Sequence, residues 1–283
     1  PHLLVIGGIT CDHGAPLKKN EHYKGLDLSM CDHQTGCGYC TWYRGPTSDM
    51  DAGVIDTACS QLGRLVETGM EGGRFCNIID LLDIRVFLHV DRFAEEIVKL
   101  RLPPTQFCFE PRIDRVIKVC DKLRKALDVM GQEGHSIYLF RMGLENLEEK
   151  ENWLFNKKIS LDQIDQGDRL LKELKDEYPD SFDCDPTWGY ITCSPWTTLE
   201  MLRNQIELAI ERDFEPLGVW LYTPLLFYRG APIVQLAKKE KDILCHEFED
   251  LSLLYEAAIN RVPFETLMPW RFKDMRVAKA FAL

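Results

Sequence analysis

The chain has 283 residues, 45% hydrophobic and 28% charged, with a formal net charge of −11 and eleven cysteines. No apolar run approaches the roughly 20 residues of a membrane span. The short basic cluster Lys238, Lys239 and Lys241 is no duplex-binding surface. An odd cysteine count does not close as a disulfide framework, and such unpaired use suits a reducing cytoplasm. The expectation is a cytoplasmic globular chain large enough for a sizeable core, with a small molecule or peptide as substrate and neither nucleic acid nor membrane as partner. The start at Pro1 without Met is expected of a chain trimmed from a longer one, with a domain upstream.

In chain order, Leu3 to Gly8 is a buried-strand signal ending in glycines, and Cys11 to Leu26 is a polar, turn-rich connector. Gly25 to Met30 alternates like a strand, and the cysteine loop follows it. Asp51 to Thr68 has helical spacing, closed by the glycines of Gly69 to Gly73. Arg74 to Leu82 reads as a strand, Asp91 to Leu100 as a helix, Thr105 to Pro111 as a strand, and Asp114 to Met130 as one amphipathic helix. Ser136 to Met142 is the next strand, followed by helices near Leu147 to Phe155 and Leu161 to Glu177. Trp188 to Cys193 is a strand, and Thr198 to Glu211 a helix capped by Thr197 or Thr198. Gly218 to Phe227 is a long apolar strand interrupted at Pro224. Ile233 to Lys241 and Phe248 to Val262 are the last helices.

Strand and helix thus alternate about six times, which predicts a parallel sheet with right-handed crossovers. Six units suit an open, partial β/α barrel, whose chemistry lies at the carboxyl ends of the strands. The expected organisation is a connector over 1–24, a partial barrel over 25–242 and a helical extension over 243–283.

The chemistry-bearing stretch is Gly25 to Pro46, with Cys31, Cys37 and Cys40 spaced C-x5-C-x2-C. Three thiolates from one loop can hold three irons of an iron–sulfur cluster and leave the fourth open. Cys31, His33, Cys37 and Cys40 also form a set suited to tetrahedral zinc, which would make the chain an interaction domain with no reaction of its own. Cys59, Cys76, Cys108, Cys120, Cys193 and Cys245 lie in apolar surroundings and read as small core hydrophobes. There is no Ser–His–Asp order, no phosphate loop and no G-x-G-x-x-G.

The loop resembles the cluster loop of the radical S-adenosylmethionine (radical SAM) superfamily, whose usual spacing is C-x3-C-x2-C. Met142-Gly143-Leu144-Glu145-Asn146 resembles the G-x-E-S/N segment of the subgroup that often carries a cobalamin-binding domain. Phe155 to Ser160 (FNKKIS) resembles that subgroup's NKG(I/L)T turn, and Gly189 to Thr198 its G(F/Y)I…P-x-T segment. No GGE segment follows the second strand, where Asp80 or Asp83 stands instead.

The resemblance implies a radical SAM partial barrel in which Cys31, Cys37 and Cys40 bind a [4Fe–4S] cluster. S-adenosylmethionine would occupy the open iron and be cleaved reductively to a 5′-deoxyadenosyl radical. Gly36 and Tyr39 are expected near the cofactor by their place in the loop, and Glu145 as its polar contact. Arg112 or Arg141 is expected at the methionine carboxylate, since a guanidinium suits bidentate carboxylate binding. Asp80 is expected at the amino group, and Ile191 with Cys193 beside the adenine. The implied reaction is cobalamin-dependent methylation of an unactivated carbon. Rearrangement or cyclisation without cobalamin is the alternative. A flavodoxin or ferredoxin would supply electrons. No residue is assigned a catalytic role.

Overall fold

The computed structural model describes residues 3–5, 11–41, 51–71, 77–184, 189–214, 223–228, 230–240, 243–244 and 270–281. By contact the chain forms two compact units. One is assembled from Pro1–Asp12, Trp42–Leu144 and Ser160–Gly189, the other from His13–Thr41, Glu145–Ile159 and Tyr190–Leu283.

The first unit is built on a five-stranded, all-parallel sheet. Its strands are β1 (Leu3–Val5), β2 (Ile78–Leu81), β3 (Gln106–Phe109), β4 (Ser136–Leu139) and β6 (Phe182–Cys184), in the order β1-β2-β3-β4-β6. Each new strand is added at the same edge, so the order never reverses. A doubly wound sheet would reverse, whereas steady progression with right-handed crossovers stacks the helices on one face, as in a barrel wall. This is the α/β, open partial parallel barrel expected from the sequence.

The helices of this unit are α1 (Asp51–Glu71), α2 (Ile84–Leu88), α3 (Val90–Lys99), α4 (Ile113–Lys118), α5 (Cys120–Gln132) and α7 (Leu161–Glu177). Period-two alternation sorts the sheet faces. Ile79, Leu81, Phe107, Phe109, Ile137 and Leu139 are buried. On α3, Phe93 meets Phe107 edge-on at 5.3 Å and Phe109 at 6.1 Å. The opposite face carries Asp80, Cys108, Tyr138 and Asp183 in one lateral row.

Several elements differ from the sequence reading. Gly25–Met30 is not a strand. Leu28 is buried in its own unit, and the Asp27 carboxylate accepts the Ser29 N–H at 2.9 Å, a local Asx turn that competes with any ladder. The place at the sheet edge belongs instead to β1, which pairs with β2. Helix α1 runs through Gly69 to Glu71. The single helix read over Asp114 to Met130 is two, broken at Val119 (φ −106°, ψ 14°). The fifth strand of the sheet is β6, which the sequence reading missed. Gly189–Tyr190 (β7) is short and pairs with β5 (Gly143–Glu145). Of Gly218 to Phe227, Pro224 bridges Cys193, while residues 215–222 and the helix read over Phe248 to Val262 lie outside the described residues.

The second unit holds two 3-10 turns (Leu17–Lys19 and Glu21–Tyr23), α6 (Glu149–Leu154), α8 (Leu199–Glu211), α9 (Pro232–Lys239) and α10 (Met275–Phe281). Thr198 caps α8 through the Met201 N–H, and Pro232 opens α9. Its core gathers Leu17, Tyr23, Leu28, Phe155, Phe227, Ile233 and Trp270. Among the described residues no helix is long and apolar enough to cross a membrane.

Candidate functional site

The cysteine segment is assembled on the C-terminal end of α6. A helix leaves its last carbonyls without intrahelical partners. Here the segment from His13 to Gly38 supplies them. Asn20 Nδ2 donates to the Trp153 carbonyl at 2.7 Å, Tyr23 Oη to Leu154 at 3.0 Å, and the Gly38 N–H to Phe155 at 2.8 Å. His13 Nε2 donates to the Asn156 carbonyl at 2.7 Å.

Asn156 is the hub of this arrangement. Fully buried at φ 55°, it donates from Nδ2 to the Gly36 carbonyl at 2.6 Å and the Ala15 carbonyl at 3.1 Å. Its Oδ1 accepts from Asn20 Nδ2 at 3.2 Å. Gly36 turns the loop at φ 86°, and its N–H donates to Ala15 at 2.7 Å. Gly38 admits no side chain, because a Cβ there would lie 1.9 Å from Tyr23 Oη. Its carbonyl accepts the Ile233 N–H at 2.8 Å, which ties the loop to α9.

The three thiols share one neighbourhood. Cys37 is 4% exposed, and Cys31 and Cys40 are half-buried. The Tyr23 hydroxyl is pushed well above its ordinary pKa by burial, then by Cys37 and Cys31. The Tyr39 hydroxyl is raised by burial, then by Cys37, Glu145 and Cys40. One tyrosine hydroxyl thus lies near Cys37 and Cys31, and another near Cys37 and Cys40. Burial, Asp32 and Asp27 raise the Cys31 thiol. Tyr39 meets Phe155 edge-on at 5.6 Å, giving the loop an apolar backing.

The donor set fits an iron–sulfur cluster, and together with His33 it is also one that tetrahedral zinc accepts. His33 turns its Nε2 to the Cys40 carbonyl, closing the loop on itself. Three soft thiols on one sheltered loop suit a larger, multi-iron group, whose ligands stand further apart.

Beside the loop lies a buried ion pair. The Lys157 ammonium, 4% exposed, bonds the Glu145 carboxylate, which also receives the Tyr39 hydroxyl. Glu145 sits at φ 70°, and Asn156 and Lys158 flank Lys157 at φ 55° and 54°. Ile191 is buried, and its N–H donates to the Glu145 carbonyl at 2.6 Å.

Of the residues singled out in the sequence, Cys31, Gly36, Cys37, Tyr39, Cys40, Glu145 and Ile191 share this unit. Asp80, Arg112 and Arg141 belong to the sheet unit. Asp80 hydrogen-bonds Cys108, whose thiol burial pushes up to about 12. Arg112 is buried and commits its guanidinium to Asp114, with Nε–Oδ1 at 2.9 Å. Arg141 is 71% exposed, 3.7 Å from Glu110 and over the Phe140 ring.

Sequence reasoning missed three features of the second unit. Lys157 and Asn156 lay inside the FNKKIS segment, but no residue type advertises a buried lysine. Asn146 joins the Ile191 carbonyl (2.8 Å), the Glu148 N–H (2.7 Å) and Asn152 Nδ2 (2.6 Å). Glu151 is buried and accepts from Ser194 Oγ at 2.9 Å and from Thr197 Oγ1 at 2.5 Å. Burial outweighs those hydroxyls and lifts its carboxyl to about 7.

No protein-family model matches this chain, and no curated protein does. Two solved structures are similar. Both are of the cobalamin-dependent S-adenosylmethionine radical enzyme OxsB. One holds aqua-cobalamin, with a TM-score of 0.50 and 14% identity over 94% of this chain and 39% of OxsB. The other holds aqua-cobalamin and S-adenosylmethionine, with a TM-score of 0.53 and 14% identity over 96% of this chain and 40% of OxsB. The chain has a fold of the radical SAM type, as its motifs led one to expect. It spans about two fifths of the length of OxsB.

Proposed function

We propose that this chain is the S-adenosylmethionine-cleaving part of a radical enzyme. Cys31, Cys37 and Cys40 hold a [4Fe–4S] cluster in this reading. When bound, that group supplies the electron that cleaves S-adenosylmethionine and releases a 5′-deoxyadenosyl radical. The observation that carries the reading is that one loop, backed by Tyr39 and Phe155, supplies all three thiols in a chain with the fold of OxsB. The protein's own work is to hold the loop and shelter it. Asn156 and the end of α6 fix the loop backbone, while Tyr23, Tyr39 and Phe155 exclude water from its inner side.

Glu145 is the polar contact offered to the cofactor, with Gly36 and Tyr39 beside it and Ile191 as an apolar neighbour. Asp80 and Arg141 remain candidates for the amino and carboxylate ends. Arg112 is the weaker candidate, since Asp114 already engages it. The reaction proposed is methylation of an unactivated carbon in a small molecule or peptide, with cobalamin carried by a part of the protein outside this chain. A flavodoxin or ferredoxin is the proposed electron donor and the cytoplasm the proposed compartment.

The test is direct. The anaerobically reconstituted chain, reduced with dithionite in the presence of S-adenosylmethionine, should form 5′-deoxyadenosine and methionine in equal amounts, read by liquid chromatography. A protein with its full complement of iron that forms neither product would sink the proposal.

A further inference from the structure

We infer that Lys157 is a positioning residue of the cofactor site, acting through Glu145. The inference deepens the reading above and rests on it.

A buried ion pair is weak evidence for stability, because desolvating two charges offsets most of their attraction, and a well-packed apolar pair often does as well. This pair is also set in a strained frame. Glu145, Asn156 and Lys158 all occupy the left-handed region, which non-glycine residues rarely adopt and which clusters at functional sites. A sequence with nothing to gain would not bury a lysine between two such residues.

The strain has a visible consequence. Three consecutive side chains leave the turn toward three different partners. Asn156 binds the Gly36 carbonyl of the cysteine loop, Lys157 binds Glu145, and Lys158 sits over the Trp153 ring at 5.5 Å. The turn thus ties the loop backbone and the Glu145 carboxylate to one short rigid segment. Tyr39 closes the circuit, since it lies in the loop next to Cys40 and donates to Glu145. Glu145 is held from both sides, by a cation and by a residue of the loop itself.

No contact between Lys157 and the cofactor is required. The role of Lys157 is to hold the Glu145 carboxylate in place and aimed inside the unit. Without it, Glu145 would be a buried charge with the Tyr39 hydroxyl beside it and no cation in contact.

The test compares Lys157→Met, Lys157→Arg and Glu145→Gln in the 283-residue chain, reconstituted anaerobically. Three quantities are read: iron per chain, melting temperature, and the affinity for S-adenosylmethionine by equilibrium dialysis without reductant. The expectation for Lys157→Met is unchanged iron and at least a tenfold loss of affinity. Lys157→Arg should recover part of that loss. Glu145→Gln should weaken binding as much as Lys157→Met, and the double variant no more than either.

Retention of affinity within twofold in Lys157→Met, whatever its melting temperature, overturns the assignment and leaves the pair structural. Additive losses in the double variant overturn it too. If the unaltered chain binds iron but no S-adenosylmethionine, both this inference and the functional reading fall. A difference confined to the variants separates the two.

Discussion

The sheet unit and the cysteine unit are held together by different forces. In the sheet unit, five parallel strands and the helices over them bury alternating apolar residues such as Phe107 and Phe109, and the ladder satisfies the backbone. In the cysteine unit, residues 13–41 contain no strand and only two short 3-10 turns. There the loop is fixed by side chains and single backbone groups that reach the end of α6. The first unit is cohesive through area, the second through a few buried hydrogen bonds. Area is forgiving of a lost contact, whereas a buried polar group left alone is not.

The largest expected effect belongs to the sheet core. Phe107→Ala should cost about 4 kcal/mol in denaturant unfolding, from lost transfer energy plus a cavity beside Phe93. The iron content of the surviving folded fraction should be unchanged. Asn156→Ala should cost somewhat less, about 3 kcal/mol, since it removes the donor to the Gly36 carbonyl, weakens the hold on Ala15 and forces alanine into a left-handed conformation. Unlike the Phe107 variant, it should lose iron faster than it loses secondary structure on mild heating. Equal loss of both signals in the two variants would break the distinction between the units.

Next comes the pH dependence of the second unit. Glu151 has a carboxyl raised from 4.5 to about 7, so the fold prefers it protonated. Its contribution is full below pH 4.5 and is lost as pH rises through 7. Glu151→Gln should remove this slope. Measured as unfolding free energy, the variant should gain on the parent by roughly 2–3 kcal/mol between pH 4.5 and pH 8. Parallel pH profiles would contradict the assignment of a proton to Glu151. The smallest effect is expected of Tyr23→Phe, about 1 kcal/mol, for the bond to the Leu154 carbonyl alone.

The same difference explains what could be read in the sequence. Helix α7 lies where the sequence reads it, near Leu161 to Glu177, and the structure adds a capping box of Ser160 and Gln163 at its start. Strands β2 to β4 were legible through their alternation. The cysteines, Tyr39 and Glu145 were singled out through motif resemblance, and the structure places them in one unit. The strand read at Gly25 to Met30 was not there, because Asp27 and Ser29 satisfy each other locally. The hub at Asn156 and the pair at Lys157 were invisible in the same sense. Their partners lie more than 100 residues away in the chain or depend on left-handed backbone that no residue type announces. Strand β6 was missed because three residues with an exposed middle one carry too little pattern.

The central claim is that the cysteine loop holds a cluster. Iron, sulfide and zinc should be counted in the chain purified anaerobically after iron-replete expression, beside Cys37→Ala. About four irons and four sulfides per chain are expected, with both lost in the variant. One zinc per chain, or neither metal in the unaltered protein, would contradict it.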